Sequence, residues 1–205
     1  MPVRARSNAS AASRRPNRVR IIGGVWRSQM IPFPDLPGLR PTPDRVRETL
    51  FNWLGQNLAG RRCLDLYAGS GALGFEALSR GAASITMVEY APRACRALQD
   101  NAALLRAEGL NIVCGDALEF LAGVPVSTRF DVVFLDPPFS DGIPEGLWPR
   151  LLERLSDEGL VYLECDAMFA GHPRLEMLKH GHAGAVHYHL LKRKRDDQGG
   201  ISGNV

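Results

Sequence analysis

The sequence predicts an α/β fold: a Rossmann-like, doubly wound, mostly parallel sheet of seven strands. An antiparallel C-terminal hairpin closes one edge, and a small β-hairpin and helix precede the sheet as an extension. Three observations carry this expectation. From residue 61 onward short, mostly apolar runs alternate with amphipathic ones, the pattern of strands covered by helices on both faces. A glycine-rich turn, Gly69-Ser-Gly71-Ala-Leu-Gly74, follows the first apolar run and opens a helical one, as in nucleotide-binding crossovers. The last two β-prone runs, residues 174–180 and 185–192, are joined by the short segment 181–184, which reads as a hairpin.

The elements follow in chain order. The first seventeen residues are rich in Arg, Ser, Ala and Asn and lack an apolar core segment. They read as a disordered basic arm without a secretory signal, compatible with either a transit peptide or an arm that follows nucleic acid phosphates. Residues 18–22 and 25–31 are two β-prone runs around Gly23-Gly24 and predict a hairpin. Pro32, Pro34, Pro37 and Pro41 mark an extended linker. Thr42-Pro43-Asp44 has the form of a helix start, with Thr42 as N-cap and an acid in the first turn. Val46, Leu50, Trp53, Leu54 and Asn57 make the stripe of that helix, and Gly60 ends it. The body then predicts strands over 62–66, 84–89, 111–114, 130–136 and 159–164, with helices over 72–80, 91–107, 116–122 and 145–156. This divides the chain into an arm (1–17), an extension (18–60), a catalytic body (61–192) and a flexible tail (193–205).

The length of 205 residues, with 45% hydrophobic and 23% charged, excludes a mainly disordered or collagen-like chain. No apolar run approaches the ~20 residues that span a bilayer. The net charge of +3 hides a strong asymmetry. Residues 1–60 hold ten Arg against three acids, residues 61–191 are net acidic, and Lys192-Arg-Lys-Arg195 adds a second basic patch. Such a map suits a polyanionic partner, although a basic run is also an ordinary solvated surface. Cys63, Cys95, Cys114 and Cys165 form no CxxC pair and read as buried, reduced thiols. His180, His182, His187 and His189 form two HxH pairs, but with no third ligand evident they do not predict a metal site.

Four motifs carry chemistry. Asp65 ends the first strand of the body four residues before Gly69. There its carboxylate can accept from an ammonium group, whereas beside a dinucleotide pyrophosphate it would be repelled. Glu89 ends the next strand, twenty-four residues on, where an acid can accept from two ribose hydroxyls. Asp116-Ala117 follows the third strand; Asp116 is either an acceptor for an adenine amino group or a helix N-cap. Asp136-Pro137-Pro138-Phe139 follows the fourth. The prolines cannot donate hydrogen bonds, which leaves the Asp136 carboxylate and nearby carbonyls to accept from an incoming amine, with Phe139 as a stacking face. That arrangement suits N-methylation of a nucleobase.

Together DLYAGSGALG, VEY and DPPF resemble the class I S-adenosylmethionine-dependent methyltransferases. The segment RIIGGVWRSQMIPFPDLPGLRPTPDRVRETLFNWL closely resembles the RsmD family of bacterial 16S rRNA guanine-N2 methyltransferases, specific for guanine 966. The likeness runs from about Arg18 to Lys192. The DPPF tetrapeptide is shared with DNA amino-methyltransferases, whereas the LRPTPDRVRETLFNWL block is far more discriminating. Tyr67 stands where many relatives carry Phe.

The resemblance implies S-adenosylmethionine as cofactor and assembled small ribosomal subunits as substrate, with monomeric action in the cytoplasm and neither metal nor membrane. It places Asp65, Tyr67, Ala68, Gly69, Ser70 and Gly71 at the methionine moiety, Glu89 and Tyr90 at the ribose, and Asp116 with Ala117 at the adenine. Asp136, Pro137, Pro138 and Phe139 would form the target-base pocket, with Asp136 also touching the cofactor. Arg18, Arg20, Arg27, Arg40, Thr42, Arg45 and Arg47 of the extension are candidates for gripping rRNA. Two alternatives stay open: a DNA adenine-N6 or cytosine-N4 methyltransferase, and a non-catalytic RNA-binding assembly factor.

Overall fold

A computed structural model describes residues 17–138 and 142–194. Residues 1–16 of the arm, most of the C-terminal tail, and Phe139 lie outside the described residues, and Asn17, expected at the end of the arm, opens the first strand instead. Seven strands form one sheet: β3 (Arg62–Asp65), β4 (Ser84–Glu89), β5 (Leu110–Cys114), β6 (Phe130–Leu135), β7 (Leu155–Cys165), β8 (Leu175–Ala183) and β9 (Val186–Arg193), in the spatial order β5-β4-β3-β6-β7-β9-β8. The first five pair in parallel, while β9 runs antiparallel against both β7 and β8. Within this sheet, the doubly wound reading with a reversed C-terminal hairpin is what the chain adopts. The strand order reverses between β3 and β6, which opens a crevice beyond their carboxyl ends.

Helices cover both faces. Strand side chains alternate between two apolar clusters. Cys63, Val132, Phe134 and Tyr162 point to the face packed by α1 (Asp44–Trp53), α2 (Ala72–Ser79) and α3 (Pro92–Leu105). Leu64, Val133, Leu135, Val161 and Leu163 point to the face packed by α4 (Ala117–Gly123) and α5 (Leu147–Arg154). Fully burying each such aliphatic side chain contributes about 1.5–3 kcal/mol.

The extension differs in detail from the sequence expectation. Its strands are β1 (Asn17–Arg20) and β2 (Met30–Phe33), paired Arg20↔Met30 through Asn17↔Phe33, so Pro32 lies in a strand and residues 25–28 form turns. The reason lies in α2. The Ile22 and Gly23 amides donate to the Glu76 carboxylate at 2.7 and 2.8 Å, and Val25 and Trp26 donate to the Ser79 carbonyl and Oγ. These amides are bound to α2 and cannot join a strand ladder. Gly24 makes this approach possible. It has a φ of +74°, and a Cβ there would lie 1.7 Å from the Ser79 carbonyl oxygen.

The first helix also starts and stops differently. Pro43, not Thr42, is the N-cap, and the helix ends at Trp53 before Gly55 at φ +87°. Val46, Arg47, Leu50 and Phe51 are its buried residues, with Trp53 and Leu54 only partly covered. Strand β7 begins at Leu155, four residues early, because Leu155 pairs with Phe130 across a register shift. Cys63 and Cys95 are buried as expected, but Cys114 is exposed because β5 is the sheet edge.

Glu76 is fully buried and accepts from Arg47 Nη1 (3.4 Å) and Arg80 Nε (2.8 Å) besides the two extension amides. Removing one partner of such a buried network leaves uncompensated charge. Glu76→Ala is therefore expected to lower unfolding free energy by about 3–5 kcal/mol in urea denaturation; a loss under about 1 kcal/mol would contradict this role.

Candidate active site

The carboxyl ends of five neighbouring parallel strands each present an acid. Asp65 ends β3, Glu89 ends β4, Asp116 follows β5, Asp136 follows β6 and Glu164 lies one residue from the end of β7. Strand alternation places Asp65, Glu89, Asp136 and Glu164 on the same face as Cys63, Met87, Phe134 and Tyr162, the face packed by α1 to α3. A cleft there is lined by Arg40, Pro41 and Thr42 from the strap between β2 and α1, the turn residues Tyr67 to Ser70 with Ala72 and Leu73, and the carboxylates of Asp65 and Asp136.

The glycine turn folds because its residues permit it. The Ala68 amide donates to the Val88 carbonyl, and the Gly71 amide to that of Ala68. Gly71 has a φ of +79°, and a Cβ there would lie 2.6–2.7 Å from the side chains of Leu98 and Phe75. Glu89 closes the turn: its Oε2 accepts from the Gly69 amide at 2.7 Å and its Oε1 from the Ala91 amide at 2.8 Å. Each oxygen keeps a second lone pair for a ribose hydroxyl. Tyr90 beside it is exposed. Asp116 is the N-cap of α4, accepting from the Leu118 and Glu119 amides through Oδ1, and its other oxygen takes no part in that cap. Ala117 is buried beneath it.

The electrostatics favour a cation. Asp65 is 2% exposed, its Oδ2 is buried without a hydrogen-bond partner, and its carboxyl is pushed up to about 7 by burial and then by Glu89, against the Gly74 and Tyr67 amides that favour the charge. Burial, then Glu164 and Asp65, raises Asp136 well above the ordinary carboxylate range. Burial likewise raises Glu164, against its bonds from Tyr162 and Thr42. An orphaned acceptor among repelling carboxylates fits a ligand that brings ammonium and sulfonium charge. Pro137 is buried and Pro138 exposed after Asp136.

Of the candidate RNA contacts, Arg18, Arg27, Arg40 and Arg45 are exposed, and Arg20 pairs with Asp44 at 2.9 Å while staying half exposed. Two expectations need correction. Arg47 is fully buried and donates to Thr42 O, Arg20 O, Asp44 and Glu76, so it supports the extension and cannot reach RNA. Thr42 is 6% exposed, and its hydroxyl donates to Glu164 at 3.0 Å. Glu164 went unremarked in the sequence. The signal was present, since it closes the 159–164 run as Glu89 closes the 84–89 run. Among the described residues no group of three or more His, Cys, Asp or Glu is arranged to hold a metal, and no helix is long and apolar enough to cross a membrane. The hairpin histidines stack on one another instead, His180 against His189 at 4.8 Å.

Fold and site together define a class I S-adenosylmethionine-dependent methyltransferase. The family described as "Conserved hypothetical protein 95" matches residues 19–192. The chain is 48% identical over 151 residues to ribosomal RNA small subunit methyltransferase D of Escherichia coli K12, spanning 73% of this chain and 75% of that one. It is 40% identical over 180 residues to the protein of the same name from Haemophilus influenzae, spanning 85% and 93%. A solved structure named as the putative methyltransferase yhhF of Escherichia coli superposes with a TM-score of 0.78 at 42% identity, covering 87% and 99%. The chain belongs to the RsmD family of S-adenosylmethionine-dependent methyltransferases.

Because Asp65 must shed its proton to meet a cationic ligand, cofactor affinity is expected to fall by up to about tenfold per pH unit below about pH 7, with proton release on binding. The raised value in the folded chain also means that the Asp65 contribution to the stability of the ligand-free protein is fully present in acid, below its unfolded value, and is lost as pH rises through about 7. Asp65→Asn should remove that loss along with the cofactor affinity. Calorimetric titration and thermal melts from pH 5.5 to 8.5 read both; an affinity independent of pH would contradict the assignment.

Proposed function

We propose that the protein transfers the methyl group of S-adenosylmethionine to the exocyclic N2 of a guanine in 16S rRNA, guanine 966 in the family pattern, within assembled small ribosomal subunits. In this reading it works as a monomer in the cytoplasm, without a metal. One observation carries the amine chemistry: Asp136 stands at the crevice and is followed by Pro137 and Pro138, neither of which has an amide to donate. Both the Asp136 carboxylate and the adjoining carbonyls thus accept, and an incoming NH2 group is the complementary donor pair. The rRNA relatives and the basic extension support RNA as the carrier of that base.

The chain's residues divide the work. Asp65 takes the ammonium of the cofactor on its orphaned Oδ2, and Tyr67, Ala68, Gly69, Ser70 and Gly71 wrap the methionine end. Glu89 accepts from the ribose hydroxyls, with Tyr90 exposed beside it, and Asp116 with Ala117 meets the adenine. The cofactor supplies an electrophilic methyl on a positively charged sulfur and leaves as a neutral thioether. Asp136 and a Pro137-side carbonyl hold the two amine hydrogens, which directs the N2 lone pair at that methyl. The nitrogen forms its new bond to carbon as the carbon–sulfur bond breaks, and the resulting cationic amine releases a proton. The base must leave its stack at a cost of a few kcal/mol, and stacking on Phe139, worth ~1–3 kcal/mol, offsets much of it. Arg18, Arg20, Arg27, Arg40 and Arg45 grip phosphates around the strap.

Asp136→Ala is expected to abolish methyl transfer while leaving cofactor affinity within a few-fold of wild type. Purified protein, offered labelled cofactor with small subunits, naked 16S rRNA and DNA, should label RNA only. Wild-type turnover by Asp136→Ala would overturn the assigned site, and label in DNA would favour the DNA amino-methyltransferase alternative.

A further inference from the structure

Leu135 and Leu163 are paired across β6 and β7, so Asp136 and Glu164 stand side by side one position further on. Glu164 is 4% exposed, and its Oε1 accepts twice, from Tyr162 Oη at 2.8 Å and Thr42 Oγ1 at 3.0 Å. Tyr162 is itself fully buried, and Thr42 ends the strap whose Arg40 and Pro41 line the cleft with Asp136. The same Thr42 offers its carbonyl to Arg47 Nε at 3.1 Å, and Arg47 reaches Glu76. A continuous path therefore runs from the extension's anchor to Glu164 at the end of β7, beside the strand end that precedes Asp136. A carboxylate buried beside another carboxylate is costly, and the fold would gain more from an apolar residue there. Such an arrangement points to the site's needs.

We propose that Glu164 is a positioning residue of the methyl-transfer site: it latches the strap over the cleft through Thr42 and, held by Tyr162 and Thr42, presents no donor to Asp136, whose oxygens stay free to accept from the target amine. The inference rests on the methyl-transfer reading above. With both hydroxyls on Oε1, swinging toward Asp136 would cost Glu164 two hydrogen bonds, so it does not compete with the target amine. The charged and titratable groups facing Asp136 are Glu164 and Tyr162 from β7, Asp65 from β3, and Arg40 from the strap across the same cleft.

Glu164→Gln separates the two roles. The amide oxygen can still accept from Thr42 and Tyr162, while its NH2 becomes a donor aimed at Asp136 and the charge is gone. The expected result is at least a tenfold fall in kcat, near-wild-type hydrogen exchange over residues 36–44, and an acid limb of the pH profile displaced to lower pH, because Asp136 ionises more readily without its neighbour. Thr42→Val should do the reverse: faster exchange over 36–44 and a raised KM for RNA, with the acid limb unmoved. Tyr162→Phe, which keeps the charge, serves if Glu164→Gln does not fold, and should lower kcat with the acid limb in place.

Wild-type kcat and acid limb in Glu164→Gln, or unchanged strap exchange in Thr42→Val, would overturn the proposal. Should the wild-type protein methylate no RNA, the functional reading fails. Glu164 is then judged by the strap exchange and by calorimetric cofactor binding, whose pH midpoint should fall in Glu164→Gln and overturns the proposal if it does not.

Discussion

The buried carboxylate of Glu76 is the constraint on which the architecture turns. It lies on the helix that the glycine turn opens, and it accepts from two amides of the hairpin extension and from the guanidiniums of Arg47 and Arg80. Burial lowers the Arg47 pKa, and Asp44 and Glu76 oppose that shift. Through that pair α1 is fixed against α2, and Val19, Ile21, Ile31 and Phe33 of the extension join the apolar cluster of Phe75 and Met87. The strap from residue 34 to 43 then has one path, across the crevice at the carboxyl ends of β3 and β6. An extension that could swing freely would leave the crevice open to water. The ion pair and its amides hold the strap where Arg40, Pro41 and Thr42 complete a wall of the site.

That wall matters because the floor is built from mutually repelling groups. Burial raises the proton affinity of Asp65, Asp136 and Glu164, Glu164 adds to that of the other two, and Asp65 adds to that of Asp136. Such a cluster weakens the fold, a common trade at functional sites. It becomes favourable when positive charge arrives between the carboxylates, so the cost of the empty site is also the selectivity for a cationic ligand. Both oxygens of Glu89 and the Oδ1 of Asp116, by contrast, accept from backbone amides and serve as fixed acceptors. The same strand-end chemistry thus divides into a cluster of repelling carboxylates and a pair of amide-held acceptors, which the proposed function gives to the methionine and nucleoside ends of the cofactor.

Much of this was legible in the sequence. Apolar runs gave the parallel strands nearly to the residue, as at Ser84–Glu89, because strands buried on both faces must be apolar throughout. The glycine turn and the DPP motif announced themselves through residues chosen for backbone conformation, which few other contexts require. The extension was harder to read. Residues 18–22 and 25–31 have β propensity, yet the amides of Ile22 and Gly23 go to Glu76 and those of Val25 and Trp26 to Ser79, more than fifty residues away, and no local pattern records that partnership. Arg47 looked like one more basic residue of an RNA-facing helix, although its partner Glu76 is a helix interior acid of ordinary appearance. Glu164 is inconspicuous for a related reason: its meaning comes from Asp136 just beyond the adjacent strand and from Thr42, 122 residues away.

The central claim is that this strap-roofed carboxylate site methylates the exocyclic amine of a guanine. The most direct test is the chemical identity of the product. Small subunits lacking the modification would be incubated with the wild-type protein and S-adenosylmethionine, and the rRNA digested and resolved by mass spectrometry. The account predicts N2-methylguanosine as the new nucleoside, absent with Asp136→Ala; N6-methyladenosine, N4-methylcytidine or an unmodified digest would contradict it.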